Sequence, residues 1–330
     1  MEINQELNPP TLQIVHSFLE RQYLKHASHF ESDLFDERRK SIAASWFDET
    51  TADFWRHARA YEAASLLRSH TESQWLTVGD GRWGLDSIRI RKLGFQDVTP
   101  TDICGSLLEE SKRLGRIPAY RIENAENLSL ENGSFDYVFC KESLHHFPRP
   151  VVALYEMMRV ASKAVFFVEP NDPWSFARHP HSHPGSLIQW LLAHLNQTWR
   201  FLLGSRPKVL FNVPDWETSG NYVYGISKRE VEKIALGINL PQIVFKGIND
   251  HYIEGCEFEP ADADKSRIFR EIVEQVAYKD SLCRRGRKEF DLLMLGLMIE
   301  PLSIADRKAF EDAGWAVTDL PRNPFVSCAN

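Results

Sequence analysis

The chain has 330 residues, with 39 Lys and Arg against 46 Asp and Glu, giving a formal charge of −7. At about 150 residues per domain this length makes one large domain or two ordinary ones. An apolar fraction of 43% and a charged fraction of 26% exclude wholesale disorder, collagen and a disulfide scaffold, and the net acidity argues against a nucleic-acid backbone as the main partner. Cys104, Cys140, Cys256, Cys283 and Cys328 are scattered and form no C-x-x-C, which fits a reducing compartment and gives no zinc framework. The N-terminal MEINQELNPP has no basic segment leading into an apolar one, so a cytoplasmic protein without a signal peptide is expected.

Residues 12 to 70 read as largely helical. One apolar stripe starts Leu12, Val15, Leu19 and Tyr23, and a second runs Phe54, Ala58, Tyr61, Ala64 and Leu67. From residue 75 apolar runs alternate with helical patterns: Trp75–Val78, Ile88–Leu93, Val98, Leu107–Leu114, Phe135–Cys140, Val151–Val160 and Ala164–Val168. That alternation predicts βαβ units and a parallel sheet. Residues 170 to 220 break the rhythm with NDPWSFARHPHSHPGS and then an apolar helix over Gly185–Gly204, whose polar interruptions argue against an integral membrane segment. Ser227 and Glu230 form a capping box for a helix that Gly237 would stop. Gln242–Lys246 and Phe290–Leu297 read as strands around a helix at 264–283.

The sharpest chemical signal is Gly79-Asp80-Gly81-Arg82-Trp83-Gly84 between the strand Trp75–Val78 and a helix. Such a turn lets the backbone approach a ligand and offers free N–H groups to an anion. Asp102 ends the next predicted strand, where a carboxylate can accept both hydroxyls of a ribose. The pattern predicts a nucleoside-containing cofactor and satisfies a dinucleotide fingerprint equally well.

The later segments discriminate. Ile122 to Leu128, Gly133 to Cys140, Ser143-Leu144-His145-His146-Phe147, and Glu156 to Val160 followed by Ala164–Val168 resemble the class I S-adenosylmethionine-dependent methyltransferases, of the type 11 small-molecule kind. The resemblance covers residues 70–170 well and 221–300 more loosely. It implies an α/β, Rossmann-like seven-stranded mixed sheet with S-adenosyl-L-methionine as cofactor. Gly79, Gly81 and Gly84 lie where the family's loop passes the methionine part. Asp102 matches the ribose carboxylate, Ile103 would cover the adenine, and Asn124 and Ala125 match the pair at the adenine edge. Cys140 to Glu142, with Lys141 between them, would pass near the sulfonium. Thr77 stands where the family has an acid, so Asp80 is expected to supply that charge for the ammonium group. The loop holds one residue more than the commonest pattern, and the usual glycine pair before the fifth strand is replaced by Arg159-Val-Ala-Ser-Lys163.

The resemblance implies this organisation: a helical N-terminal cap (1–70), the cofactor-binding core (71–170), an inserted lid (171–220), completion of the core sheet (221–300) and a C-terminal extension (301–330). His145 and His146 follow the fourth strand at the mouth of the cofactor crevice, and an imidazole is a suitable base for a hydroxyl nucleophile. His179, His181 and His183 read as a proline-broken loop, with no metal expected. Glu169, Asn171 and Asp172 are candidates for the acceptor pocket, and Arg56, Arg59 and Tyr61 for the cofactor carboxylate. The expected function is methyl transfer to a small-molecule acceptor, preferably a hydroxyl of a saccharide or lipid-linked intermediate. The alternatives are an NAD(P)-dependent oxidoreductase, for which Tyr137 and Lys141 have the Y-x-x-x-K spacing, or an inactive binding protein of the same fold. Homo-oligomerisation is left open.

Overall fold

The computed structural model describes residues 10–28, 36–172 and 222–325. The insertion, with His179, His181, His183 and the Gly185–Gly204 stretch, lies outside these residues.

Helices α1 (Pro10–Ala27), α2 (Glu37–Ser45), α3 (Ala52–Ala58) and α4 (Glu62–Leu66) precede the sheet. The second apolar stripe is interrupted by a tighter 3₁₀ turn at Arg59–Tyr61. Thr51 starts α3 by accepting from the Phe54 N–H at 3.1 Å, which satisfies one of the orphan donors of the first turn.

Then β1 (Trp75–Val78), α5 (Leu85–Lys92), β2 (Val98–Asp102), α6 (Ser106–Arg113), β3 (Arg121–Ile122), β4 (Phe135–Lys141), α7 (Pro150–Val160) and β5 (Ala161–Pro170) alternate as the sequence predicts, except that β3, two residues long, is not among the runs read from it. They are followed by α8 (Lys228–Gly237), β6 (Gln242–Ile248), α9 (Arg267–Arg284), β7 (Leu292–Met298), α10 (Ile304–Asp312) and β8 (Ala316–Asp319). The sheet order is β3-β2-β1-β4-β5-β7-β6-β8, parallel through β5 and antiparallel from there on. The Rossmann-like mixed sheet is therefore present with eight strands rather than seven. The extra strand lies in the expected C-terminal extension, where Val317 pairs with Val244 and the strand is too short and polar to show in the sequence. The capping box forms, with Ser227 and Glu230 bonding reciprocally. Gly237 stays inside α8, and the left-handed residue beyond the helix is Asn239, at φ 59°.

The pleat divides the core into two layers. Leu76, Val78, Val138, Cys140, Val165 and Phe167 face Leu154 and Met157 of α7 and Val231 and Ala235 of α8. Trp75, Tyr137, Phe139, Phe166 and Val168 face Ala63, Ala64 and Leu67, Ile90 of α5 and Phe310 of α10. Each large side chain buried this way contributes about 1.5–3 kcal/mol. With both faces covered by helices, the C-terminal ends of the parallel strands are left for a ligand. The order in which successive strands are added to the sheet reverses between β1 and β4, and at the C-terminal ends of strands at such a switch point α/β sheets hold ligands.

Candidate active site

A cavity of about 670 Å³ opens at those strand ends. Its walls come from the loops after β1, β2, β3 and β4 and from α1, α2 and α3, through side chains such as Tyr23, Trp46 and His57. Gly79, Asp80, Asp102, Ile103, Asn124, Ala125, Lys141, His145 and His146 all line it.

Gly79 sits at φ +76°, a region that costs any residue with a Cβ. A Cβ there would lie 2.4 Å from Ser143 Cβ, and Ser143 Oγ donates to the Gly79 carbonyl at 2.9 Å. The glycine thus lets the β1 and β4 loops touch. Gly81 and Gly84 do not line the cavity. The Gly81 N–H donates to Asp102. Gly84, at φ +67°, lets α5 pack on β2, since a Cβ would stand 3.2 Å from Ile117 Cγ2 and 3.4 Å from Pro100 Cβ.

Asp80 lines the cavity and is also bonded within the protein. Its Oδ2 accepts from Thr77 Oγ1 at 2.7 Å and from the Ser87 N–H at 2.9 Å, while Oδ1 accepts from the Asp86 N–H at 3.0 Å. The carboxylate therefore closes the N-terminus of α5, and Thr77 is its partner rather than a gap in the motif. Burial, and then the neighbouring Asp86, push the Asp80 carboxyl well above its ordinary range. Asp86 is raised by burial as well and accepts from the Tyr61 hydroxyl.

Asp102 ends β2 and accepts from the backbone N–H of Cys104 at 2.7 Å, with Ile103 and Gly81 also donating. Burial outweighs these bonds and raises its carboxyl to about 6. Asn124 turns the loop after β3 by accepting from the Glu126 N–H at 3.0 Å. The buried Ala125 follows it, so the chain can lie close to a flat ligand there.

At the end of β4, Lys141 pairs with Glu142, whose backbone is left-handed at φ 48°. The Lys141 ammonium beside it draws the Glu142 carboxyl down to about 2. His57 faces Glu142 at 3.8 Å, and burial followed by the Lys141 charge holds its imidazole well below the usual range. Tyr137 and Lys141 both belong to β4, and Tyr137 is buried in an aromatic cluster 4.6 Å from the Trp75 ring. The Y-x-x-x-K spacing therefore brings no pair together.

His145 lies on a 3₁₀ turn, Leu144–His146, with its Nδ1 2.5 Å from Glu169 Oε2. Glu169 Oε1 accepts from the Ser143 and Leu144 N–H groups at 3.0 and 2.8 Å. Glu169 is fully buried at the end of β5 and does not line the cavity; its role is to hold the β4 loop and the His145 ring. Since a carboxylate only accepts, the proton of a neutral His145 sits on Nδ1, and Nε2 carries the lone pair. The His146 ring lies 4.0 Å from that of His145.

Asp53, Asp86, Arg89 and His57 were not singled out by the sequence. Of the residues named for the cofactor carboxylate, Arg56 is held by Asp53 and Asp250, and Arg59 lies over Trp55. Arg89 lines the cavity with its Nε buried and without a hydrogen-bond partner. Asp86 was legible as an acid in the first turn of α5, and Arg89 as a residue one turn after Leu85 on the face that meets the cavity.

A parallel sheet ending in antiparallel strands, a glycine turn after β1 and a carboxylate after β2 define a Rossmann-like protein for a nucleoside cofactor. Residues 76–168 match the family model of the methyltransferase domain. Residues 76–168 are therefore a methyltransferase domain, and S-adenosylmethionine is the methyl donor. No curated protein matches it. Among solved structures it is similar to the plantazolicin methyltransferase BpumL bound to S-adenosylhomocysteine (13% identity, 86% of this chain and 98% of that one, TM-score 0.41). It is similar also to an S-adenosylmethionine-dependent methyltransferase of Methanosarcina mazei (15%, 69% and 93%, 0.39) and to the YcgJ protein of Bacillus subtilis (16%, 73% and 100%, 0.42). Among the described residues no helix is long and apolar enough to cross a membrane.

Proposed function

We propose that the chain methylates a hydroxyl group of a small-molecule acceptor, with His145 as the general base. The observation that carries this reading is the bond from His145 Nδ1 to the buried Glu169, made by a ring that lines the cavity.

The residues present fit the cofactor. A cavity of about 670 Å³ is within the usual ~300–1,000 Å³ of small-molecule sites. Asp102 would accept the ribose hydroxyls, Ile103 and Ala125 would flank the adenine with Asn124 at its edge, and Gly79 and Lys141 would line the methionine side. Asp86 and Glu142 join Asp80 there as acids for the ammonium group. Bound S-adenosylmethionine supplies a methyl group on a sulfonium, which is already an activated electrophile.

The protein must therefore orient the acceptor, exclude water and remove a proton. His145 Nε2 takes the hydroxyl proton, and Glu169 stabilises the imidazolium that results. Among the described residues the cavity walls carry eight Asp and Glu side chains against four Arg and Lys. That excess argues against an acceptor that buries phosphates, and favours the neutral sugar of a saccharide or of a lipid-linked intermediate. The N-terminal helices would act as a cap over the acceptor.

The test is transfer of labelled methyl to a panel of hydroxyl-bearing saccharides by the wild type, His145→Ala and His146→Ala. His145→Ala should lose ~10²–10⁴-fold in turnover with S-adenosylhomocysteine affinity nearly unchanged. Methyl found on nitrogen or carbon, or near-normal turnover by His145→Ala, would contradict the reading.

A further inference from the structure

Two cations of the cavity are neutralised within the protein. Lys141 pairs with Glu142, and Arg56 is shared between Asp53 and Asp250. Arg89 is different. It is only 9% exposed, yet it makes no hydrogen bond, and no carboxylate oxygen lies within 4.0 Å of it among the described residues. The guanidinium is held by stacking instead, 5.0 Å from the Phe54 ring centre and 5.3 Å from that of Tyr61.

A buried Nε without a partner is costly, because its desolvation is not offset, and the terminal nitrogens face the cavity unpaired among the described residues. The two rings hold the side chain, so an incoming group would meet donors already positioned. A planar carboxylate matches the fork of a guanidinium with two parallel bonds. Arg89 lies over Tyr61, whose hydroxyl donates to Asp86, one of the acids placed beside the ammonium group. Arg89 thus belongs to the methionine side of the cavity rather than the ribose side. The methionine carboxylate is the one anionic group that S-adenosylmethionine carries.

We propose that Arg89 receives the carboxylate of the cofactor's methionine moiety. This rests on the cofactor assignment and is independent of the acceptor and of His145.

The test compares two ligands by calorimetric titration. S-adenosylhomocysteine carries the amino-acid carboxylate; 5′-methylthioadenosine shares its adenosine and sulfur but has no amino acid. Arg89→Gln should weaken S-adenosylhomocysteine by about tenfold or more, the usual worth of a charge-assisted bond, and leave methylthioadenosine within about twofold. Arg89→Lys keeps the charge without the fork and should fall between, and it gives the same comparison if the glutamine variant does not fold. Equal weakening of both ligands would overturn the proposal, because Arg89 would then only shape the site. Unchanged S-adenosylhomocysteine affinity would overturn it too and assign the guanidinium to an acceptor carboxylate. A wild type that binds neither ligand would overturn the cofactor assignment itself.

Discussion

Glu169→Gln exchanges one carboxylate oxygen for an NH₂ group and reverses one proton. Glu169 Oε1 accepts from two backbone N–H groups at 3.0 and 2.8 Å, so a glutamine must turn its carbonyl oxygen that way. Its NH₂ group cannot face two donors, and is therefore directed at His145 Nδ1, which the carboxylate now meets at 2.5 Å. An amide donor there forces Nδ1 to accept, and the imidazole proton moves to Nε2. The charge-assisted bond, about 1.5–3 kcal/mol, is exchanged for a neutral one of about 0.5–1.5, so stability should fall by about 1–2 kcal/mol. Since the base atom is now protonated, turnover should fall by ~10²–10⁴-fold, as in His145→Ala. Nitrogen NMR of the histidine ring reads the tautomer directly and needs no acceptor. The wild type should show a protonated Nδ1 and a bare Nε2, and the variant the reverse, with S-adenosylhomocysteine affinity retained. An unchanged tautomer with undiminished turnover would refute the argument and leave Glu169 as a tie for the β4 loop alone.

Two further outcomes follow from the cofactor side. Burial places the Asp102 carboxyl at about 6, above its ordinary 3.8, so acid protonates the ribose acceptor. S-adenosylhomocysteine affinity measured by calorimetry should be flat above about pH 7 and fall below pH 6 by up to about tenfold per pH unit, a dependence that Asp102→Asn should remove. Folding stability from this group runs the other way: a raised acid holds its proton more tightly when folded, so its contribution declines as pH rises from about 4 to about 6. Gly79→Ala should cost about 1–2 kcal/mol for the left-handed backbone and about 1–3 kcal/mol for the overlap with Ser143, read as a lowered melting temperature together with weakened S-adenosylhomocysteine binding. Unchanged melting would mean that the two loops separate freely.

Much of the parallel half of the sheet was legible because period and punctuation agree there. The run Trp75–Val78, the glycines after it and Asp102 were placed by local pattern, and the Ser227–Glu230 box by spacing alone. β8 was missed because Ala316–Asp319 is short and half polar, and only its pairing with β6 makes it a strand. The roles of Glu169 and Arg89 were hidden for a different reason. Glu169 acts on a ring 24 residues away, and Arg89 sits in a helix whose Arg91 and Lys92 suggest a solvated face. Asp80 was expected to supply the cofactor's charge, and its three bonds at the start of α5 appear only when strand and helix are seen together.

The account stands on one cavity holding S-adenosylmethionine by its ribose at Asp102. Calorimetric titration of the wild type and Asp102→Ala with S-adenosylmethionine and with NADH tests that most directly. The account predicts one S-adenosylmethionine per chain, a loss of about tenfold or more in Asp102→Ala, and no NADH binding. NADH binding that depends on Asp102, or S-adenosylmethionine affinity that survives in a folded Asp102→Ala, would contradict it.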